Sequence, residues 1–219
     1  MFESKYSKVL TVILVIVIIA IVGLLGFLGY DYYKKYMVTK DTAGFVDNFE
    51  GEVSDQNAGD DQIASTDENP LDKIQDTNAS TSSTTKITYK GFGVLGTMEI
   101  PATNFKYPVL EKVTKKSIET AVAFLYGSGL NEPGNTVIIG HNYRNGLFFS
   151  NNKKLNIGDK IYITDNSGKK LTYTIYNKFE TTPEDTSFYQ RDTGGVPEVT
   201  LSTCTDDSKA RLIIFAKAE

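Results

Sequence analysis

The chain has only one cysteine, Cys204, and only one histidine, His141, among its 219 residues. A single cysteine excludes an intramolecular disulfide, and an unpaired thiol in an exported protein is either reactive or paired with another chain. One cysteine and one histidine also fall short of the four ligands of a structural zinc site. We therefore assign no metal and no cofactor.

Charged residues are missing from residues 9–30, which are almost wholly apolar. A helix needs about 20 such residues to cross a bilayer, and the run exceeds the roughly 7–15-residue core of a cleavable signal peptide. The pattern predicts a transmembrane signal-anchor over residues 9–30, with residues 1–8 in the cytoplasm and the remainder on the extracellular face of the cell membrane. Lysines flank the run on both sides, so the positive charges do not decide its orientation.

Basic residues are nearly absent from residues 41–85, where Lys73 is the only one against eleven acidic residues. Too few apolar groups are present to offset the entropy of ordering, which predicts an acidic, largely disordered stalk over residues 31–85. A short helix that continues from the membrane span and includes Phe45, Val46 and Phe49 is the alternative for its first part. Residues 86–219 then form one globular domain, with 17 basic and 14 acidic residues. The domain has no basic stripe with interleaved aromatics, which argues against nucleic acid binding.

Short runs rich in Val, Ile, Thr and Tyr dominate this domain and predict a mainly β fold. The predicted strands are Val94–Ile100, Tyr107–Leu110, Thr136–Gly140, Lys160–Thr164, Leu171–Phe179, Glu198–Cys204 and Leu212–Ala216. Helical periodicity is limited to Lys115–Leu125 and Leu147–Leu155. Many short strands with one or two short helices favour a closed or nearly closed β-barrel.

Three side chains with complementary chemistry lie at strand ends. Cys204 and His141 each end a strand-like run, and Arg211 opens another. A thiol, an imidazole and a guanidinium can act as nucleophile, acid or base, and stabiliser of negative charge. The simpler alternatives are a buried structural cysteine, an exposed turn histidine, and a surface arginine paired with Asp206 or Asp207.

Four segments resemble, in the same order, motifs of the sortase transpeptidases. Thr200–Cys204 followed by Arg211–Ile214 is similar to the family's TLxTC...R signature, and Pro133–His141 is similar to the segment that carries its histidine. Leu155–Ile161 resembles an L-x-x-G-D-x-I passage, and Met98–Leu110 resembles the opening strands. The resemblance covers nearly all of residues 92–219.

The resemblance implies a closed barrel of about eight strands and a cysteine transpeptidase. Cys204 would cleave an LPxTG-like sorting signal between Thr and Gly and hold the secreted protein as a thioester. His141 would protonate the leaving amine, and Arg211 would stabilise the oxyanion. The acceptor would be an amine of the peptidoglycan precursor or cross-bridge. Thr203, Ser202 and Asn142 are further candidates for substrate binding, Asn142 also as a residue that orients the imidazole.

Other functions remain alternatives at this stage. Ser202 lies on the same strand face as Cys204 and is a rival nucleophile, although the chain has no G-x-S-x-G elbow. An L,D-transpeptidase is disfavoured because arginine does not follow the cysteine directly. A pilin-polymerising sortase and a membrane-tethered, non-enzymatic β-domain that binds wall or protein ligands are the remaining alternatives. The segment His141–Gly146 resembles class B sortases, and class B and class D-like are the two candidate subclasses. Thr181–Pro197 is the predicted specificity loop.

Overall fold

The computed structural model describes residues 3–58 and 86–219. The chain divides into two compact units, Met1–Asp41 and Thr42–Glu219. The part of the predicted stalk from 59 to 85 lies outside the described residues.

The first unit consists of the early part of helix α1, which runs over Glu3–Ala58. Its large apolar side chains between Val9 and Leu28 are exposed. Within the described part of the chain, this is the one helix that is long and apolar enough to cross a membrane, with a mean hydropathy of 3.3 in its most apolar window. The predicted span at residues 9–30 lies inside it.

The second unit is built on a nine-stranded mixed sheet. Its strands are β1 (Thr88–Tyr89), β2 (Phe92–Ile100), β3 (Phe105–Leu110), β4 (Val122–Tyr126), β5 (Gly134–Ile139), β6 (Lys160–Asp165), β7 (Lys170–Thr181), β8 (Pro197–Cys204) and β9 (Arg211–Ala218). They follow the order β1-β2-β3-β4-β5-β8-β9-β7-β6, and β2 also pairs with β6. This last pairing closes β2–β9 into the predicted eight-stranded barrel, which encloses a core of fully buried side chains that includes Met98, Ile138, Ile163, Leu201 and Ile214.

The helix predicted over Lys115–Leu125 is wrong in its second half. Helix α2 covers only Lys115–Ile118 and begins at a capping box between Thr114 and Ser117. The apolar residues that follow form β4, which pairs with β3 and β5 and is buried at Val122 and Ala123. A short apolar run fits a buried strand as well as a helix, and the available sheet partners decide between them. The segment predicted as a helix over Leu147–Leu155 contains a 3-10 helix, Phe149–Lys154.

The predicted stalk is also wrong for residues 31–58, which are helical. The part of α1 that belongs to the second unit buries one stripe of side chains, Thr42, Val46, Phe49 and Val53. Their spacing of three or four residues places them on one helix face. Phe49 and Val53 pack into the same core cluster as the barrel side chains. The compact unit therefore begins well before the predicted boundary at residue 86.

Candidate active site

Strand pairing brings the three sequence-predicted catalytic residues to one edge of the barrel. Strands β5 and β8 are parallel, with Ile139 opposite Ser202, so the residues that follow each strand emerge on the same side. His141 lies just after β5, and Cys204 is the last residue of β8. Strand β9 runs antiparallel to β8 and places Arg211 directly opposite Cys204.

The guanidinium of Arg211 donates a hydrogen bond to the thiol sulfur, with a distance of 3.0 Å between Nη1 and Sγ. The contact holds a permanent positive charge against the sulfur, where it can stabilise negative charge that develops during a nucleophilic attack. The alternative of a surface arginine paired with Asp206 or Asp207 does not hold, since these carboxylates have other partners. Asp206 binds Lys153 at 2.5 Å, and Asp207 accepts a hydrogen bond from Thr205 at 2.7 Å.

These side chains surround a cavity of about 340 Å³. Five of the six sequence-predicted site residues line it: His141, Ser202, Thr203, Cys204 and Arg211. The remaining wall is mostly apolar and consists of Ile118, Leu125, Ile139, Gly140, Pro183 and Tyr189. Cys204 is partly exposed, so its sulfur is accessible from this cavity.

Asn142 is the sixth predicted residue and is not in that lining. Its side-chain amide nitrogen donates to the Cys204 carbonyl and to Asp206 Oδ1, both at 3.0 Å. The hydrogen bond from Lys153 holds the pKa of Asp206 below its ordinary value, and the hydrogen bond from Asn142 acts in the same direction. Asn142 thus ties the residues after β5 to the end of β8 through the Cys204 carbonyl, and to the following turn through the Asp206 carboxylate.

Thr203 and Ser202 differ in how their hydroxyl groups are placed. The Thr203 hydroxyl donates to the Gly140 carbonyl at 2.7 Å, which locks β8 to the end of β5. Ser202 is buried but lines the cavity on the same strand face as Cys204. Asp206, the acid that a Ser-His-Asp arrangement would need, is engaged by Lys153 and Asn142 instead.

A series of aromatic ring contacts extends from the His141 ring into the barrel. These contacts were not predicted from the sequence. The His141 ring lies 4.8 Å from the Tyr143 ring, and Tyr143 meets Phe148 edge-on at 5.4 Å. Phe148 packs on Tyr107 at 5.4 Å and adopts a left-handed φ of 52°. Burial raises the pKa of Tyr143, and the charge of Glu119 adds to the shift. The only sequence signal was the aromatic content of residues 143–149.

A family model described as "Sortase domain" matches residues 98–219. The chain belongs to the sortase family. The match begins in β2 and includes the whole edge on which Cys204, His141 and Arg211 meet.

Individual relatives are consistent with this membership. The chain is 31% identical to sortase A of Bacillus anthracis over 124 residues, which is 55% of this chain and 58% of that protein. It therefore spans little more than half of that sortase. Among solved structures, a Clostridium perfringens sortase D5 transpeptidase has 29% identity and a TM-score of 0.53, covering 58% of this chain and 79% of that one. A lid mutant of Corynebacterium diphtheriae sortase A has 28% identity and a TM-score of 0.54, with coverages of 58% and 71%.

Proposed function

We propose that this sortase is a membrane-anchored cysteine transpeptidase that joins secreted proteins to the cell wall. The observation that carries the proposal is the 3.0 Å contact between Arg211 Nη1 and Cys204 Sγ in a cavity that His141 also lines. A nucleophile, a proton-transfer group and a fixed cation around one cavity are the parts that acyl transfer requires.

In the first half of the proposed reaction, Cys204 Sγ attacks the carbonyl carbon between Thr and Gly of an LPxTG-like sorting signal. The C–N bond breaks, His141 gives a proton to the departing glycine amine, and the protein remains on sulfur as a thioester. Negative charge develops on the carbonyl oxygen during the attack. The guanidinium of Arg211 lies next to this position and stabilises that charge.

In the second half, an amine of the peptidoglycan precursor or cross-bridge attacks the thioester carbonyl. His141 accepts the proton that the amine loses, a new amide forms, and the Cys204 thiolate leaves. The largely apolar walls around Ile139, Leu125 and Tyr189 limit access of water to the thioester, which favours amine transfer over hydrolysis.

Mass spectrometry of the full chain in detergent micelles tests this function. The protein is incubated with an LPxTG-type peptide library and with either triglycine or diaminopimelate. We expect a mass increase on Cys204 that equals the peptide acyl group, and an amide product that requires the added amine. Release of acid alone with both amines would contradict transpeptidation, and the absence of any adduct across the library would favour a binding domain.

Replacement of Arg211 by lysine keeps the charge but removes the planar guanidinium that reaches the sulfur. We expect a loss of about 10²–10³-fold in kcat/KM for the peptide, comparable to the loss of one oxyanion donor. Steady-state transfer assays measure the effect. Lys209→Met, which removes a positive charge from the exposed turn before β9, is the matched control, and equal activity in Arg211→Lys and the native chain would exclude a geometric role.

The single cysteine allows the proposed extracellular orientation to be tested directly. Cys204 is partly exposed, so a membrane-impermeant maleimide should label it in intact cells that express the full chain. We expect equal labelling before and after cell lysis, with Cys204→Ala as the background. Labelling that appears only after lysis would place the domain on the cytoplasmic side.

A further inference from the structure

The segment between β7 and β8, residues 182–196, covers a second apolar cluster that is separate from the barrel core. We call this segment the β7–β8 loop. The cluster consists of buried Val137, Phe188, Ile213 and Phe215, with partly buried neighbours that include Tyr189. Phe188 comes from the loop and is 4% exposed, whereas the other buried members come from strands. The loop is therefore packed against the barrel through a cluster of its own.

Arg191, a residue of the β7–β8 loop, anchors the loop to the barrel strands through polar contacts. Its Nη2 pairs with Glu198 Oε2 at 2.7 Å, and Nη1 donates to the Tyr176 hydroxyl at 2.7 Å. The Tyr176 hydroxyl in turn donates to Glu198 Oε2 at 2.7 Å, which closes a ring of three side chains. The guanidinium carbon also lies 3.7 Å from the centre of the Phe215 ring.

The same guanidinium orients Asn135, which holds the loop backbone. Asn135 Oδ1 accepts from Arg191 Nη2 at 3.0 Å and from the Thr200 hydroxyl at 2.7 Å. With its oxygen held in this way, the amide nitrogen points to the loop and donates to the carbonyls of Phe188 and Tyr189, both at 2.9 Å. Arg191 and Asn135 together thus hold the backbone at Phe188 and Tyr189.

Tyr189 forms a wall shared by two cavities. It lines the cavity that contains Cys204 and an adjoining cavity of about 820 Å³, to which Arg191 also contributes. Its ring stacks on Tyr126 with centroids 5.8 Å apart. A shift of Tyr189 would change both cavities at once.

The burial of this ion pair is difficult to explain by stability alone. The side chains of Arg191 and Glu198 are only 18% and 11% exposed, and the buried Nε of Arg191 has no hydrogen-bond partner among residues 3–58 and 86–219. Buried ion pairs often contribute little net stability because desolvation offsets their attraction, and some are retained for conformational specificity. Arg191 also lies outside the lining of the cysteine cavity, so the proposed chemistry does not use it.

We propose that Arg191 is a positioning residue that sets peptide selectivity by fixing Tyr189 between the two cavities. A peptide with its scissile carbonyl at Cys204 then extends past Tyr189 into the larger cavity, where the aromatic wall selects its upstream residues. This inference rests on the proposed transpeptidase function.

The test compares Arg191→Met, Arg191→Lys and Arg191→Met combined with Glu198→Gln in the full chain. The double variant removes the carboxylate charge that Arg191→Met leaves unpaired, which guards against simple misfolding. Glu184→Gln, which changes an exposed charge on the same loop, is the matched control. Transfer kinetics and hydrogen–deuterium exchange of residues 182–196 are measured for each variant.

We expect Arg191→Met and the double variant to raise KM for the peptide about tenfold, with kcat within about threefold of the native chain, because ground-state positioning is lost and not the chemistry. The range of accepted peptides should broaden. Amide exchange should accelerate in residues 182–196 and stay unchanged in β5 and β8. Arg191→Lys should fall between the native chain and Arg191→Met, and Glu184→Gln should match the native chain.

Unchanged exchange in the loop of the double variant would overturn the positioning role. A fall in kcat with unchanged KM and an unchanged peptide range would overturn the selectivity role. If the native chain transfers no peptide, the proposed function fails by itself, and the exchange measurement still decides whether Arg191 holds the loop.

Discussion

Replacement of Cys204 by alanine is expected to abolish thioester formation and to lower peptide transfer by at least about 10⁴-fold, as for loss of a covalent nucleophile. The sulfur is the atom that Arg211 contacts at 3.0 Å, and alanine leaves neither a nucleophile nor an acceptor for that hydrogen bond. The partly exposed position tolerates the smaller side chain, so the fold should persist. Mass spectrometry detects the adduct, and product quantification gives the rate.

Ser202→Ala is the matched control because Ser202 lies on the same face of β8 and lines the same cavity. We expect this variant to keep most of the activity. Transfer that survives in Cys204→Ala and disappears in Ser202→Ala would identify serine as the nucleophile. Transfer that survives in both variants would assign the reaction to neither side chain.

Removal of residues 1–85 is expected to destabilise the barrel strongly compared with removal of residues 1–41. The shorter chain loses the helix segment that buries Val46, Phe49 and Val53, which are at most 2% exposed. Burial of each such side chain contributes about 1.5–3 kcal/mol. The exposed ion pairs of this segment, Asp47 with Lys106 and Glu50 with Lys170, contribute little by comparison.

Denaturant unfolding of the two truncated chains measures this difference. Phe49→Ala in the chain that begins at residue 42 measures the contribution of this buried side chain alone. It should lower the free energy of unfolding by about 3–5 kcal/mol. Glu52→Ala, an exposed residue of the same helix, should change it by less than about 0.5 kcal/mol. Equal unfolding midpoints for chains that begin at residues 42 and 86 would contradict a structural role for the helix.

Most strands could be predicted from the sequence because each is a short β-branched or aromatic run between turn residues. Strand β4 could not be predicted. Its apolar run, Ala121–Tyr126, follows a capped helix start and is too short to distinguish a helical period from a strand period. The helical segment over residues 42–54 was obscured by its acidic surroundings. Its buried stripe of Val46, Phe49 and Val53 carries a helical period, but the acidic residues Asp47, Glu50 and Glu52 lie between them and give the segment the composition of the predicted stalk.

The candidate site, too, was only partly predictable from the sequence. Sequence reasoning selected His141, Cys204 and Arg211 because they are rare or isolated residue types at strand ends; the structure brings them together at one cavity, and their catalytic roles stay a proposal. It could not assign Asn142 its role as a tie between the histidine segment and the end of β8, since that role depends on a contact across 62 residues. Subclass B or D-like stays a prediction.

The sequence by itself determined the single thiol and the single imidazole, the apolar N-terminal segment and the strand-rich domain, because composition and short-range periodicity carry this information. Only the tertiary structure decided that Arg211 contacts the Cys204 sulfur and not an aspartate, that Phe49 and Val53 of helix α1 pack into the barrel core, and that Arg191 bonds to Asn135, 56 residues away. These contacts depend on which strands become neighbours, in which register, and on what packs against them, and short-range patterns in the sequence do not specify that.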